Sequence, residues 1–268
     1  QILAAADRAC EHVFDLLGSG PTPLGPQIDW HCDFKSGHCW DPKQHYTQIR
    51  WDKAPEGADI KVPWELSRCQ HFIPLGLADW LTGDSRYYTE FKTQARSWIE
   101  ANPFERGVNW ACPMDVSIRA VNWLAGAALF ADRIQDDPDE SLWRGLAESL
   151  WLHGAHIARN LEWNGPGTGA NHLLADLTGL FTLGVFFRET AVGRRWLDFA
   201  HRALEREVQR QVTADGVHFE RSTSYHRLAL EMFEWNATIA MRSGLPFSPA
   251  YIEQLTRMRG FLAACRKP

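Results

Sequence analysis

The stretch Gly169-Ala170-Asn171-His172-Leu173-Leu174-Ala175-Asp176-Leu177-Thr178-Gly179-Leu180-Phe181-Thr182-Leu183-Gly184-Val185-Phe186-Phe187 decides the fold class. It is a long, mostly apolar run entered from a glycine-rich loop, and it predicts a buried helix over about 170–188. No apolar run in the chain reaches the roughly 18–20 residues that a bilayer span needs. Other helices must therefore cover this one.

Working outward, the periodicity predicts helices over about 64–81, 85–101, 113–133, 139–160, 190–213, 224–243 and 248–265, and an earlier one from Ile2 to Leu17. Turn chemistry separates them at Thr82-Gly83-Asp84, Asp136-Asp137-Pro138, Gly165-Pro166-Gly167, Asp215-Gly216 and Gly244-Leu245-Pro246. Asp84 and Ser248 stand where a short side-chain oxygen can cap a helix start. Val217 to Glu220 is the one short strand candidate. Residues 18–63 have no sustained period and carry Trp30, Trp40 and Trp51, as a long wrapping loop would.

Helices with apolar faces and no sheet must pack on one another. No fixed-period repeat of a common solenoid is present. The expected architecture is all-α: a single domain over 1–268 forming an incomplete α/α toroid, with antiparallel helix pairs around a central cleft.

Composition sets outer bounds. The chain has 268 residues, 45% hydrophobic and 23% charged, which excludes a disordered chain. A net charge of −5 gives no global attraction to nucleic acid. Thirteen tryptophans against five tyrosines suit sugar-ring stacking, and equally suit filling gaps between helices. The six cysteines lack zinc-site spacing, so no metal or other cofactor is expected. Their even number permits disulfides in an oxidising compartment, but buried thiols are the expectation. The chain opens with Gln1 and shows no signal peptide.

Three segments concentrate polar residues beyond what turns require: Val108-Asn109-Trp110 leading to Met114 and Arg119; Gly167 to His172; and Asp215 to His226. Asn171 and His172 fall in the first turn of the buried helix, where free N–H groups and the positive dipole end favour a carboxylate. An N-cap role for Asn171 fits the same position. The third segment gathers His218, Glu220, Arg221, Tyr225 and His226 ahead of an amphipathic helix. Tyr and His there supply acid/base groups and Arg pairs anions, although a solvated loop with Ser224 as cap could hold the same residues.

Lys61-Val62-Pro63-Trp64-Glu65-Leu66-Ser67-Arg68, Gly107-Val108-Asn109-Trp110, Gly169-Ala170-Asn171-His172 and Asp215-Gly216…Glu220-Arg221-Ser222…Tyr225-His226 occur in that order. Together they resemble the heparinase II/III family, which is similar to alginate lyases of the same toroid type. The resemblance runs from about residue 60 to the C-terminus. It implies a toroid followed by an antiparallel β-sandwich that this chain does not contain, and β-elimination on uronate polysaccharides. It further implies that Asn171, alone or with His172, neutralises the uronate carboxylate, and that Tyr225 protonates the leaving oxygen.

A tyrosine with an ordinary pKa of about 10 is a proton donor at neutral pH; to act as base it would need cationic neighbours such as Arg221 or His226. In some relatives the base is a Tyr and in others a His, so His172 and His226 are candidates, as is a histidine of the missing domain. Arg68, Arg119 and Arg221 are candidate grips for carboxylate or sulfate. Trp64 and Trp110 are candidate stacking platforms, with Asn109, His218 and Glu220 lining the same site; for Arg68 and Trp64, packing between helices with a polar tip outward fits at least as well. The expected partner is an acidic polysaccharide (heparan-like glycosaminoglycan, alginate or a bacterial uronate exopolymer), and the expected location is periplasmic or secreted.

Two other functions fit parts of the pattern. A glycoside hydrolase would need paired carboxylates, for which Glu65, Asp115, Glu220 and Glu231 are available. A non-catalytic glycan-binding module, assisting exopolysaccharide handling, would need none of the acid/base groups.

Overall fold

A computed structural model describes residues 1–163 and 170–265. The Gly165-Pro166-Gly167 break, the Gly167-Thr168-Gly169 part of the second polar segment, and Arg266 to Pro268 lie outside the described residues. The backbone groups into two compact units, Gln1–His153 and Gly154–Pro268.

In the first unit, helix α1 spans Ile2–Cys10 and stops well short of Leu17. The helical pattern in the sequence continues, but His12 adopts a left-handed backbone with φ 51°. Its ring is tied by Nδ1 to the Gly25 carbonyl at 2.7 Å and by Nε2 to Glu90 at 2.9 Å. The chain then forms a two-residue strand β1 (Val13–Phe14), antiparallel to β2 (Thr22–Pro23). A second short pair, β3 (Cys32–Asp33) and β4 (His38–Cys39), follows. Strands of two residues are too short to show a period of two, which is why the sequence pointed only to Val217–Glu220. There the ladder contact is a single bridge between Val212 and His218.

Cys32 and Cys39 close the second pair as a disulfide, correcting the expectation of thiols at these two positions. Cys10, Cys69, Cys112 and Cys265 are thiols. Burial pushes the Cys69 thiol up to about 12, so it behaves as a small apolar side chain. Trp40 anchors the irregular segment through a buried cluster with Ile49, Ile60 and Val108. Trp30, also buried, donates its indole N–H to Ser97 at 3.1 Å.

The helix expected over 64–81 is two helices, α2 (Lys61–Ser67) and α3 (Phe72–Thr82). Pro74 explains the break. It lacks an N–H and its ring would strike the carbonyl four residues back, so a helix cannot run through it but can start just before it. Cys69, at φ 53°, makes the turn. Helix α4 (Arg86–Ala101) follows; its N-cap position is Ser85, not Asp84, which sits one residue earlier and accepts from the Arg86 N–H at 3.0 Å. The helix expected over 113–133 divides at Phe130 into α5 (Pro113–Leu129) and α6 (Ala131–Gln135). Helix α3 packs on α1, α4 and α5. Between them Phe72 and Phe91 meet edge to face at 4.8 Å and Trp98 and Trp123 at 5.1 Å. Helix α7 (Glu140–Arg159) carries the boundary between the units.

The second unit is built on α8 (Asn171–Phe186), buried at Asn171 and continuously from Leu173 to Gly184. It packs against α9 (Ala191–Gln211) and α10 (Thr223–Arg242), and both of these contact α11 (Pro249–Ala264). Gly184 allows the α8–α9 approach: a Cβ there would lie 2.6 Å from the Leu197 main-chain nitrogen. The hydroxyls of Thr178 and Thr182 each return a bond to the carbonyl four residues back, at 2.8 Å. They also accept from Asn236 Nδ2 at 2.8 Å and Trp235 Nε1 at 3.0 Å on α10. An otherwise apolar interface thus carries two polar rungs, with Asn236 Oδ1 left without a partner among the described residues. Ser248 caps α11 as expected, accepting from the Tyr251 N–H at 3.2 Å. Among the described residues no helix is long and apolar enough to cross a membrane.

Candidate functional site

The second and third polar segments both belong to the second unit. Asn171 is the first residue of α8, and Ala170 holds the cap position without a side-chain bond. The capping acceptor comes from elsewhere. Glu220 Oε1 accepts from the Asn171 main-chain N–H at 2.9 Å, and both Glu220 oxygens lie 2.9 Å from Asn171 Nδ2. An anion sits here as the helix dipole favours. Asn171 is itself buried, 5% exposed, and its Oδ1 has no hydrogen-bond partner among the described residues. His172 is exposed, and its Nδ1 pairs with Glu162 Oε1 at 2.9 Å. A carboxylate acceptor holds the proton on Nδ1 and makes Nε2 the basic nitrogen of the neutral ring.

Tyr225 lies in the first turn of α10 with its side chain 47% exposed. Ser222, not Ser224, caps that helix, accepting from the Tyr225 N–H at 3.4 Å. Arg221 is exposed, in a left-handed turn at φ 55° that its N–H closes onto the His218 carbonyl at 3.0 Å.

The two remaining histidines of this segment are interior groups. His226 is buried; its Nδ1 accepts from the His218 main-chain N–H at 3.3 Å and its Nε2 donates to the Met258 carbonyl at 3.1 Å. With both ring nitrogens engaged it is not placed as a base, which corrects that candidacy. His218 is fully buried and its Nε2 donates to Gln211 Oε1 at 3.0 Å, so it holds the segment together and does not line a substrate site. Burial lowers its pKa, with Glu220 acting in the opposite sense. Gln211 passes the network on to the buried Glu207 at 2.9 Å. The sequence did not flag Gln211, Glu207 or Glu162: a pairing across separate elements leaves no local spacing to read.

The first polar segment and the Trp64–Arg68 motif belong to the first unit, and there the side chains bond mainly to one another and to the main chain, with Arg119 Nη1 and Asn109 Oδ1 buried and without a partner among the described residues. Arg119 is 0% exposed. Its Nε donates to His153 Nε2 at 2.8 Å, its Nη2 to the Asn109 carbonyl at 3.1 Å, and its guanidinium lies 4.1 Å above the Trp98 ring. Loss of hydration brings its pKa down to about 10. Asn109 is equally buried, donating to the Trp30 carbonyl and to Asn102 Oδ1, both at 2.8 Å. Gly107 fixes this turn at φ 77°, where a Cβ would fall 2.3 Å from the His31 ring.

Trp110 is buried against Trp98, Phe104 and His153. Arg119, Asn109 and Trp110 are therefore core residues of this unit, correcting their expected places at a substrate surface. Trp64 is half-buried on the Trp40 cluster and donates to the Val108 carbonyl at 2.8 Å. Arg68 is clamped by Glu65 and, at 2.6 Å, by Asp115. Burial pushes the Glu65 carboxyl up while Arg68 pulls it down. Three of the four carboxylates open to a hydrolase are thus committed, Glu65 and Asp115 to Arg68 and Glu220 to Asn171.

Comparison with known proteins agrees with this picture of the fold. Heparan sulfate lyase HepC from Pedobacter heparinus superposes with a TM-score of 0.70 at 23% identity, covering 100% of this chain and 38% of its own. The heparinase III BT4657 gene product gives 0.66 at 24%, covering 98% and 40%. The likeness shows the fold class read from the sequence, an all-α incomplete toroid. Among curated proteins, a heparin-sulfate lyase of Bacteroides stercoris is 27% identical across 96% of this chain and 38% of its own length. One of Bacteroides thetaiotaomicron is 26% identical across 66% and 25%. The chain thus spans about a quarter to two fifths of these relatives. The family described as Heparinase II/III N-terminus matches residues 27–268, taking in the loop-rich start that the four motifs had left out. Motifs, fold and profile agree, and the chain belongs to the heparinase II/III family.

Proposed function

We propose that this chain is the helical part of a polysaccharide lyase that cleaves a uronate-containing acidic polysaccharide by β-elimination. Family membership supports the reaction class, and the relatives named as heparin-sulfate lyases support a glycosaminoglycan as the first polymer to try. The observation that carries the reading is the pairing, within one unit, of a rigidly held Asn171 at a helix N-terminus with an exposed Tyr225 phenol.

In this reading Asn171 donates to the uronate carboxyl, with His172 beside it, and offsets the charge that builds when the C5 proton leaves. The C5–H electron pair becomes the C4–C5 double bond and the C4–O glycosidic bond breaks. Tyr225 gives its phenolic proton to the departing oxygen. The base is His172 or a group of the β-sandwich that the resemblance places after these residues; His226 is set aside. Arg221 is the exposed cation for a neighbouring carboxylate or sulfate. The proposed location is the periplasm or outside the cell.

The test is incubation of the full-length protein with heparan sulfate, alginate and uronate exopolymers, following ultraviolet absorbance of the unsaturated uronate. Elimination product that disappears in Tyr225→Phe and Asn171→Ala supports the proposal. New reducing ends without that absorbance would replace elimination by hydrolysis.

A further inference from the structure

Among the described residues, every hydrogen bond of the Glu220 carboxylate goes to Asn171. A carboxylate only accepts, so it must face the amide nitrogen of Asn171, and this fixes which way the carboxamide is turned. Otherwise the terminal torsion of Asn is broad and close to two-fold. The outcome leaves Oδ1 buried and without a partner among the described residues, an arrangement that is unfavourable taken alone. Three charge-assisted contacts from Glu220, placed at the positive end of α8, offset that cost. Both oxygens of one carboxylate lie too close together to take one amide hydrogen each. One hydrogen is shared between them, and the other has no acceptor among the described residues.

Glu220 also lies two residues before Ser222, the cap of α10, and five before Tyr225. It therefore ties the first turn of α8 to the start of the helix that carries the phenol.

We infer that Glu220 is a positioning residue: it orients the Asn171 amide so that the second amide hydrogen meets the substrate carboxyl, and it sets α8 in register with the Tyr225 segment. The inference rests on the proposed role of Asn171 in binding a uronate carboxyl. Glu220→Gln removes the second acceptor and sets an amide nitrogen against the amide of Asn171. Glu220→Asp keeps the charge on a shorter arm.

The test uses the full-length protein in two ways. In protein labelled with ¹⁵N at asparagine, the side-chain amide pair lost in Asn171→Ala is followed across the Glu220 variants. It should move in Glu220→Gln and move less in Glu220→Asp. In steady-state elimination, kcat should fall on the order of 10²-fold in Glu220→Gln with KM within about twofold, and recover in part in Glu220→Asp. An Asn171 amide pair unmoved by Glu220→Gln overturns the inference, as does an unchanged kcat. A wild-type protein that eliminates nothing across the polymer panel takes down the lyase reading instead, and the amide spectrum still decides whether Glu220 orients Asn171.

Discussion

The two groups of motif residues use the same alphabet of Arg, Asn, Trp, His and acid, yet the structure uses them differently. In the first unit, Arg119, Asn109 and Trp110 are buried and bonded to one another or to the main chain, and Arg68 is closed between two carboxylates. In the second, Tyr225, His172 and Arg221 reach solvent while Asn171 and Glu220 hold each other. A family motif can mark residues that shape a site from within as readily as residues that touch a ligand. Burial separates the two, and burial is not written in a motif.

The sharpest way to break this contrast is to change one residue of each group. Tyr225→Phe is expected to lower elimination by about 10²–10⁴-fold, the usual worth of a positioned acid/base group, with little change in stability. Arg119→Ala should do the reverse. It leaves a cavity under Trp98 and strips a donor from the Asn109 carbonyl, costing about 3 kcal/mol in urea unfolding. If Arg119→Ala instead folds with unaltered stability and loses only activity, the assignment of this group to the core fails.

Acid should weaken the first unit next. His71 hydrogen-bonds Gln94 at 2.7 Å, and burial lowers its pKa to about 4. The unfolded chain takes up this proton near pH 6.5, so between 6.5 and 4 the unfolded state binds the extra proton and stability falls with pH. The loss is complete below about 4 and amounts at most to about 3.5 kcal/mol, since one pKa unit is about 1.4 kcal/mol. Chemical unfolding at pH 7 and pH 4 measures it, and His71→Gln should flatten the difference. An equal drop in wild type and variant would move the acid sensitivity to other groups, among them His218 of the second unit, whose pKa burial also lowers.

The disulfide tests the irregular segment. Closing a loop of seven residues' separation stabilises by about 2 kcal/mol through the unfolded state, so Cys32→Ser with Cys39→Ser should lower stability by that amount. Reductant should do the same to the wild type and nothing further to the variant.

How much of this was legible depends on the range over which each signal acts. Helix α8 was plain because its apolar run is continuous and entered from glycines. The break between α2 and α3 was legible in principle, since Pro74 forbids a helix through Arg68 to His71, but the apolar period runs across it and masked the stop. The halt of α1 was not legible: it depends on Glu90, far along the chain, holding the His12 ring. The site shows the same division. Asn171 at a helix start and Tyr225 in a polar segment were readable locally. The Glu220–Asn171 contact spans 49 residues, and that distance is why Asn171 looked like a possible cap when the capping acceptor is Glu220.

The smallest expected effect separates the helix that carries Tyr225 from the phenol's own chemistry. Ser222 Oγ accepts from the Tyr225 N–H at 3.4 Å, a long bond at the N-cap of α10. Ser222→Ala should cost about 1 kcal/mol or a little less of stability, because water reaches this half-exposed end and replaces part of the bond. If the cap only starts the helix, kcat should stay within about twofold, as Glu220 still holds the preceding turn to α8. A drop in kcat approaching that of Tyr225→Phe, with stability barely changed, would mean that the first turn of α10 takes its position from Ser222 and not from Glu220. The contrast between the units would then narrow to the phenol and the amide alone.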